Sequence, residues 1–211
     1  MRKAIAVIGE GITEKYYIES IRGLSPFNPE PRSLNKKASS TKFLEKTIIA
    51  SISKGYDEVY CLIDMDGKQQ GKARQDYLAL KTRYHERIHG KKKVGTQCKV
   101  TFIETERCTE LWFLFHFLTS PTTREFRNYE ELQSELRKFR PNYEKSDKYF
   151  RSVGDLHKEM TNRRDPKGSL YFAIKNAKCS IETRDRESRQ CTYSEMHLLF
   201  CALGIQADSQ P

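Results

Sequence analysis

Three stretches of the chain hold carboxylates where they could act together: Glu10 in Gly9-Glu10-Gly11 with Glu14 one short turn on, Asp64-Met65-Asp66-Gly67, and Glu106 with Glu110. Like charges brought within a few ångströms of one another destabilise a fold unless a cation neutralises them or some stay protonated. A divalent ion does this most simply. A set of oxygen donors from Asp and Glu, with no His or Cys spacing beside it, favours a hard cation, so Mg²⁺ or Mn²⁺ is expected rather than Zn²⁺. Two such ions about 3.5–4 Å apart stabilise both the attacking water and the leaving oxygen of a phosphodiester. The expected metal ligands are Glu10, Asp64, Asp66 and Glu110, with Glu14 alongside them as a catalytic candidate. Asp-x-Asp alone is equally the composition of a turn or a helix cap. Its meeting with Glu10 at one sheet edge is what would make it a metal site. The glycines of Gly-Glu-Gly match neither the dinucleotide-binding nor the P-loop spacing, and no G-x-S-x-G occurs.

The elements that must position these acids are legible in the hydrophobic pattern. AIAVIG at 4–9 reads as a strand, followed by a helix that Thr13 can cap and Gly23 can stop. Residues 24–40, with three prolines among Ser and Asn, read as a loop, and Phe43, Leu44, Ile48 and Ile52 space a helix over 41–54. DEVYCLID at 57–64 is the near-continuous apolar run of a strand covered on both faces. Residues 69–89 are helix-permissive, and CKVTFIET at 98–105 alternates as a third strand. This order predicts an α/β fold with one mainly parallel central sheet flanked by helices. In such a sheet ligands bind beyond the carboxyl ends of the strands, where Glu10 and Asp64 fall. After the sheet, 109–119 is an apolar helix whose Trp112, Phe113, Phe115 and Phe117 read as core, and the remainder reads as helical. The expected organisation is a catalytic core over 1–120 and a helical C-terminal extension over 121–211 packed on it.

The 211 residues carry 38 Lys and Arg against 28 Asp and Glu, a formal charge of +10. The surplus concentrates in 67–107, with eleven cations against four acids. Such a segment is either a solvated helix face or a surface for a polyanion, and the run Lys91-Lys92-Lys93 favours nucleic acid, with Lys68, Lys72 and Arg74 as further contacts. A basic rim and bound metals would together reverse the repulsion between an acidic pocket and a polyphosphate. His116 lies in the apolar helix, where a structural histidine is the ordinary finding and a role beside the metals the alternative. Lys145 either opens a solvent-facing helix or stabilises charge on a phosphodiester in the transition state. Apolar runs fall short of the roughly 18–20 residues of a membrane span, and the N-terminus reads as a strand rather than a signal peptide. Six dispersed cysteines lack zinc spacing and indicate a reduced, cytoplasmic protein, with Cys61 and Cys201 as small buried hydrophobes.

Taken in order, Val7-Ile8-Gly9-Glu10-Gly11-x-Thr13-Glu14-x-x-Tyr17, Ile63-Asp64-x-Asp66, and Cys108-x-Glu110-Leu111-Trp112 with His116-Phe117 resemble the RloB-like proteins. Pro141-Asn142-Tyr143-Glu144-Lys145 and Thr192-x-Ser194-Glu195-Met196-His197-x-Leu199 resemble that family's helical tail. The resemblance implies a TOPRIM-type fold and a metal-dependent nuclease site, with Glu10 as metal ligand or acid/base group and Asp64 and Asp66 as metal ligands. It also implies a partner ATPase and a place in an antiviral defence or restriction locus.

The expected function is therefore Mg²⁺- or Mn²⁺-dependent cleavage of DNA or RNA. The alternative is a catalytically silent module that binds nucleic acid or a partner ATPase, and a third reading is phosphotransfer on a small nucleotide. No membrane partner is expected, and the sequence leaves oligomerisation open.

Overall fold

The computed structural model describes residues 3–34, 41–90, 97–122, 124–162, 167–187 and 192–207. They form a mixed α/β structure that divides into two compact units, 1–103 and 104–211. The apolar segment that the sequence attaches to the first domain thus falls in the second unit.

In the first unit, β1 (Ile5–Gly9) is buried along its whole length, as a central parallel strand must be. It runs into α1 (Ile12–Ile21), which buries Tyr17, Ile18 and Ile21. Gly11, rather than Thr13, is the N-cap, and Thr13 is fully buried inside the first turn. A 3-10 turn at Arg22–Leu24 follows the helix. The proline-rich stretch read as loop contains a strand, β2 (Glu30–Ser33), parallel to β1 with Ala6 opposite Glu30 and Val7 opposite Pro31. Proline lacks an amide donor and is tolerated there because β2 is an edge strand. Residues 35–40 lie outside the described set.

Next come α2 (Thr41–Lys54) and β3 (Glu58–Asp64), which pairs with β1 in parallel, Ile8 opposite Cys61. The third helix, α3 (Gly71–Tyr84), is shorter than the pattern over 69–89 suggests. His85 turns extended at its end and Glu86 takes a left-handed φ of 56°, so the chain reverses into β4 (Arg87–His89). This strand pairs antiparallel with β5 (Cys98–Thr105). Ala6, Ile8, Val59, Cys61 and Ile63 on the sheet pack with Leu44, Ile48, Tyr77 and Leu80 from α2 and α3. Each Ile, Leu or Val side chain among them contributes about 1.5–3 kcal/mol on removal from water.

The strand order is β2-β1-β3-β5-β4. From β1 the chain moves to one neighbour, β2, and then crosses to the other, β3. The gap between the carboxyl ends of β1 and β3 is therefore the point where the winding reverses, the usual ligand position in such sheets.

The second unit is helical. Its centre is α4 (Glu110–Phe115), every residue of which is buried. Trp112 packs on Phe200 with ring centroids 5.1 Å apart, and Phe117 stacks on Phe139 at 5.3 Å. Around it run α5 (Tyr129–Arg137), α6 (Asp147–Val153), α7 (Leu156–Met160), α8 (Leu170–Glu187) and α9 (Met196–Ala202). Asn128, Ser146 and Asp155 each accept a backbone N–H at the start of α5, α6 and α7. No helix among the described residues is long and apolar enough to cross a membrane. Cys61 is buried as its pattern suggests, whereas Cys201 lies on the exposed side of α9.

Candidate functional site

Two tight turns build the carboxyl edge of the sheet. At the first, Gly9 ends β1 where an added Cβ would lie 2.3 Å from Cβ of Glu14, so only glycine lets the strand turn directly into α1. The Glu14 carboxylate then reaches back, and Gly11 N–H donates to its Oε2 at 2.7 Å. This is the carboxylate half of a capping box: it satisfies a backbone donor near the start of α1 and explains why Glu14 is buried. Its Oε1 is enclosed with no hydrogen-bond partner among the described residues. Glu14 thus belongs to the frame of the turn, with one acceptor to spare.

At the second, Asp64 ends β3 and the chain folds back through Met65-Asp66-Gly67-Lys68. Lys68 N–H donates to the Met65 carbonyl at 3.0 Å, and Gly67 at the third position takes the left-handed φ of 71° that this kind of turn reserves for glycine. The turn brings Lys68 across the strand ends. Its Nζ donates to Glu10 Oε2 at 3.0 Å and to the Asp64 carbonyl at 2.7 Å. Both partners of the ion pair are shielded, with side-chain exposures of 13% for Lys68 and 14% for Glu10. Glu10 and Asp64, 54 positions apart in the chain, are thus brought together by one ammonium group. Asp64 is half-buried and Asp66 exposed.

Lys68 was expected as a rim contact for nucleic acid and instead holds the centre of the edge. Lys72 and Arg74 are exposed on the first turn of α3, with Arg74 Nη1 donating to the Gln69 carbonyl at 3.2 Å. Lys91, Lys92 and Lys93 lie outside the described residues. Among the described residues, no group of three or more His, Cys, Asp or Glu is arranged to hold a metal ion.

Glu110, His116 and Lys145 belong to the second unit. The Glu110 carboxylate is fully buried and already has partners: Tyr143 Oη donates to Oε1 at 2.9 Å, and Lys145 Nζ lies 3.1 Å from the same oxygen. Lys145 also sits over the Tyr129 ring, 5.2 Å from its centroid. Burial, followed by the Glu110 charge, raises the phenol pKa of both Tyr143 and Tyr129. These phenols stay protonated and able to donate. Lysine and phenol do here what was expected of a metal, so Glu110 has the character of a structural anion. His116 is wholly buried, its Nδ1 bonded to the Trp112 carbonyl at 2.9 Å and its ring edge-on to Trp112. Burial, and then the nearby His157, pull its pKa down to about 3, so the ring is neutral.

A further polar network in this unit was not anticipated. Tyr193 Oη donates to Glu104 Oε2 at 3.1 Å, Glu104 N–H donates to Glu195 Oε2 at 2.9 Å, and Arg184 Nη1 donates to Glu195 Oε1 at 3.2 Å. The Arg184 guanidinium also covers the Tyr193 ring at 4.4 Å. No local spacing announces a network whose members lie up to 91 residues apart in sequence. Tyr143 had a better signal, since it stands two positions before Lys145.

The family model of the RloB-like proteins matches residues 5–203. The chain belongs to that family. The match runs from the first residue of β1 to just past α9, so it takes in both units and all three polar groupings. Neither the curated proteins nor the solved structures contain a match to this RloB-like chain.

Proposed function

We propose that this RloB-like chain is a Mg²⁺- or Mn²⁺-dependent nuclease of TOPRIM type that hydrolyses phosphodiester bonds of DNA or RNA, and that it serves as an effector in antiviral defence beside a partner ATPase. The observation that carries the site is Lys68: a cation already stands where the ends of β1 and β3 meet, on Glu10 Oε2 and the Asp64 carbonyl. Oxygen donors that bind an ammonium between them suit a hard cation. Magnesium is commonly held by only one or two carboxylates, the rest of its shell being water and substrate phosphate. Glu10, Asp64 and Asp66 would hold the ion. When bound, it supplies Lewis-acid stabilisation of a phosphate oxygen and lowers the pKa of a water.

The chain's own residues do the rest. Glu10 would serve as metal ligand or as acid/base group, the two roles that the family resemblance implies for it. Glu14 keeps the turn after β1 in place through Gly11 N–H. Lys72 and Arg74, exposed on the helix that follows the Asp-Gly turn, supply positive potential for a phosphate backbone. Glu110 and Lys145 are framework of the second unit in this reading because they pair there, and His116 is framework because its buried ring bonds the Trp112 carbonyl through Nδ1, its Nε2 being enclosed with no hydrogen-bond partner among the described residues.

The pairing of Lys68 with Glu10, together with the lack of a three-carboxylate group among the described residues, also favours a second reading, a catalytically silent module that binds nucleic acid or an ATPase. One experiment separates the two. Purified protein with Mn²⁺ is incubated with plasmid, single-stranded DNA and transfer RNA, alongside Glu10→Ala, Asp64→Ala and an EDTA control. Cleavage lost in both variants and in EDTA supports the nuclease. Salt-sensitive binding without cleavage, unchanged by EDTA, supports the module.

A further inference from the structure

We infer that Lys68 is a built-in counter-cation that competes with the divalent ion for Glu10 Oε2 and the Asp64 carbonyl oxygen, so that loading this edge of the sheet requires the lysine to leave. The inference rests on the proposed metal site and adds the device that governs its filling.

Three features of the turn lead there. First, Lys68 reaches its position through the loop it closes on itself: Asp64 ends the strand, Gly67 takes the left-handed φ, and the side chain returns to the Asp64 carbonyl four residues earlier. The ammonium is thus delivered to the strand ends by the same segment that supplies the Asp-x-Asp acids. Second, the pair with Glu10 is shielded, at 13% and 14% side-chain exposure. A carboxylate so placed is poorly hydrated and needs a cation, and here the cation comes from the protein. Third, the group is a lysine. An ammonium on a flexible four-carbon stem is a compact point charge that can swing away through rotamer changes alone, without moving the backbone. The same sites then face a choice between one charge tethered nearby and two charges from solution.

Lys68 thereby sets a threshold of metal concentration. Below it the lysine holds Glu10 Oε2 and the Asp64 carbonyl, and above it the ion takes the place of the ammonium. The displaced ammonium stays on the turn that leads into α3, the helix whose first turn carries exposed Lys72 and Arg74.

The test is Mn²⁺ affinity, read by electron paramagnetic resonance of free Mn²⁺, in wild type, Lys68→Met, Lys68→Arg and Glu10→Gln. Lys68→Met is expected to bind Mn²⁺ about tenfold more tightly than wild type, the scale of a partly shielded ion pair removed from competition. Lys68→Arg, which keeps a cation, stays near wild type, and Glu10→Gln binds weakly. Equal affinity in wild type and Lys68→Met, with binding still lost in Glu10→Gln, overturns the competition and leaves the metal site standing. No Mn²⁺ binding by any protein overturns both. Should Lys68→Met fail to fold, the ε-methylene resonance of Lys68 in folded wild type, assigned with Lys68→Arg, decides. It shifts on Mg²⁺ addition if the lysine is displaced, and an unmoved resonance at saturating Mg²⁺ overturns the inference.

Discussion

Acid should unfold this chain partly through a single histidine. His116 is wholly buried, between the Trp112 ring at 5.1 Å, the His157 ring at 6.4 Å and Phe117 at 6.5 Å. Burial is the main cause of its lowered pKa; His157 and Arg140 add to the shift, and the carbonyls of Trp112 and Phe113 oppose it. The folded value is about 3 against an ordinary 6.5. Above pH 6.5 the ring is neutral in both states and costs nothing. As pH falls below 6.5 the unfolded chain takes up a proton that the folded chain refuses, and stability declines until the folded ring also titrates near 3. At about 1.36 kcal/mol per pH unit, the loss from this residue is roughly 2 kcal/mol at pH 5 and roughly 3 kcal/mol at pH 4. The assay is urea unfolding from pH 7 to pH 4 in wild type and in His116→Phe, which keeps the ring bulk and removes the proton site. Carboxylates titrate alike in both proteins, so the difference between the two curves isolates His116. Parallel curves over that range would refute the reasoning, since they would mean that the ring is hydrated or accepts its proton at little cost.

Four substitutions test the rest of the framework. Lys145→Met leaves the buried Glu110 carboxylate with its Tyr143 hydrogen bond and without the lysine charge, and should cost about 3–5 kcal/mol in urea unfolding. Glu110→Gln, which retains an acceptor for the phenol, should cost less, and the reverse order would show that the ion pair is unimportant. Gly67→Ala has open space around the new Cβ but a φ of 71°, so a loss of about 1–2 kcal/mol is expected from backbone strain alone. Gly9→Ala must push against Glu14 at 2.3 Å and should destabilise more than Gly67→Ala; a neutral melting temperature would show that the turn after β1 relaxes freely.

Local patterns made much of this chain legible in the sequence. Ile5–Gly9 and Glu58–Asp64 declare themselves as strands because buried parallel strands need continuous apolar residues, and Cys98–Thr105 does so by its alternation, each signal being met within its own segment. The apolar helix at Glu110–Phe115 declares itself as core for the same reason. Glu10 and Asp64 fall at strand ends by counting alone, and the order of β1 and β3 in the sheet makes those ends adjacent. What local pattern could not supply is pairing. The strand Glu30–Ser33 has no apolar run and carries a proline, and it is a strand only because β1 offers an unpaired edge. Arg87–His89 looks like the end of a helix until β5 provides its partner.

The same division runs through the charged groups. Their types and positions are written in the chain, but which carboxylate is neutralised by which cation depends on where the backbone turns. Lys68 reads as one basic residue among eleven and becomes the cation on Glu10 only through a left-handed Gly67. Glu110 reads as a metal ligand and becomes the anion of Lys145 and Tyr143, more than thirty positions further on. Hydrophobic periodicity is a property of neighbouring residues, so the sequence alone determined the elements and where their acids fall. Electrostatic pairing acts through space and is strengthened by burial, so only the tertiary structure decided the partners.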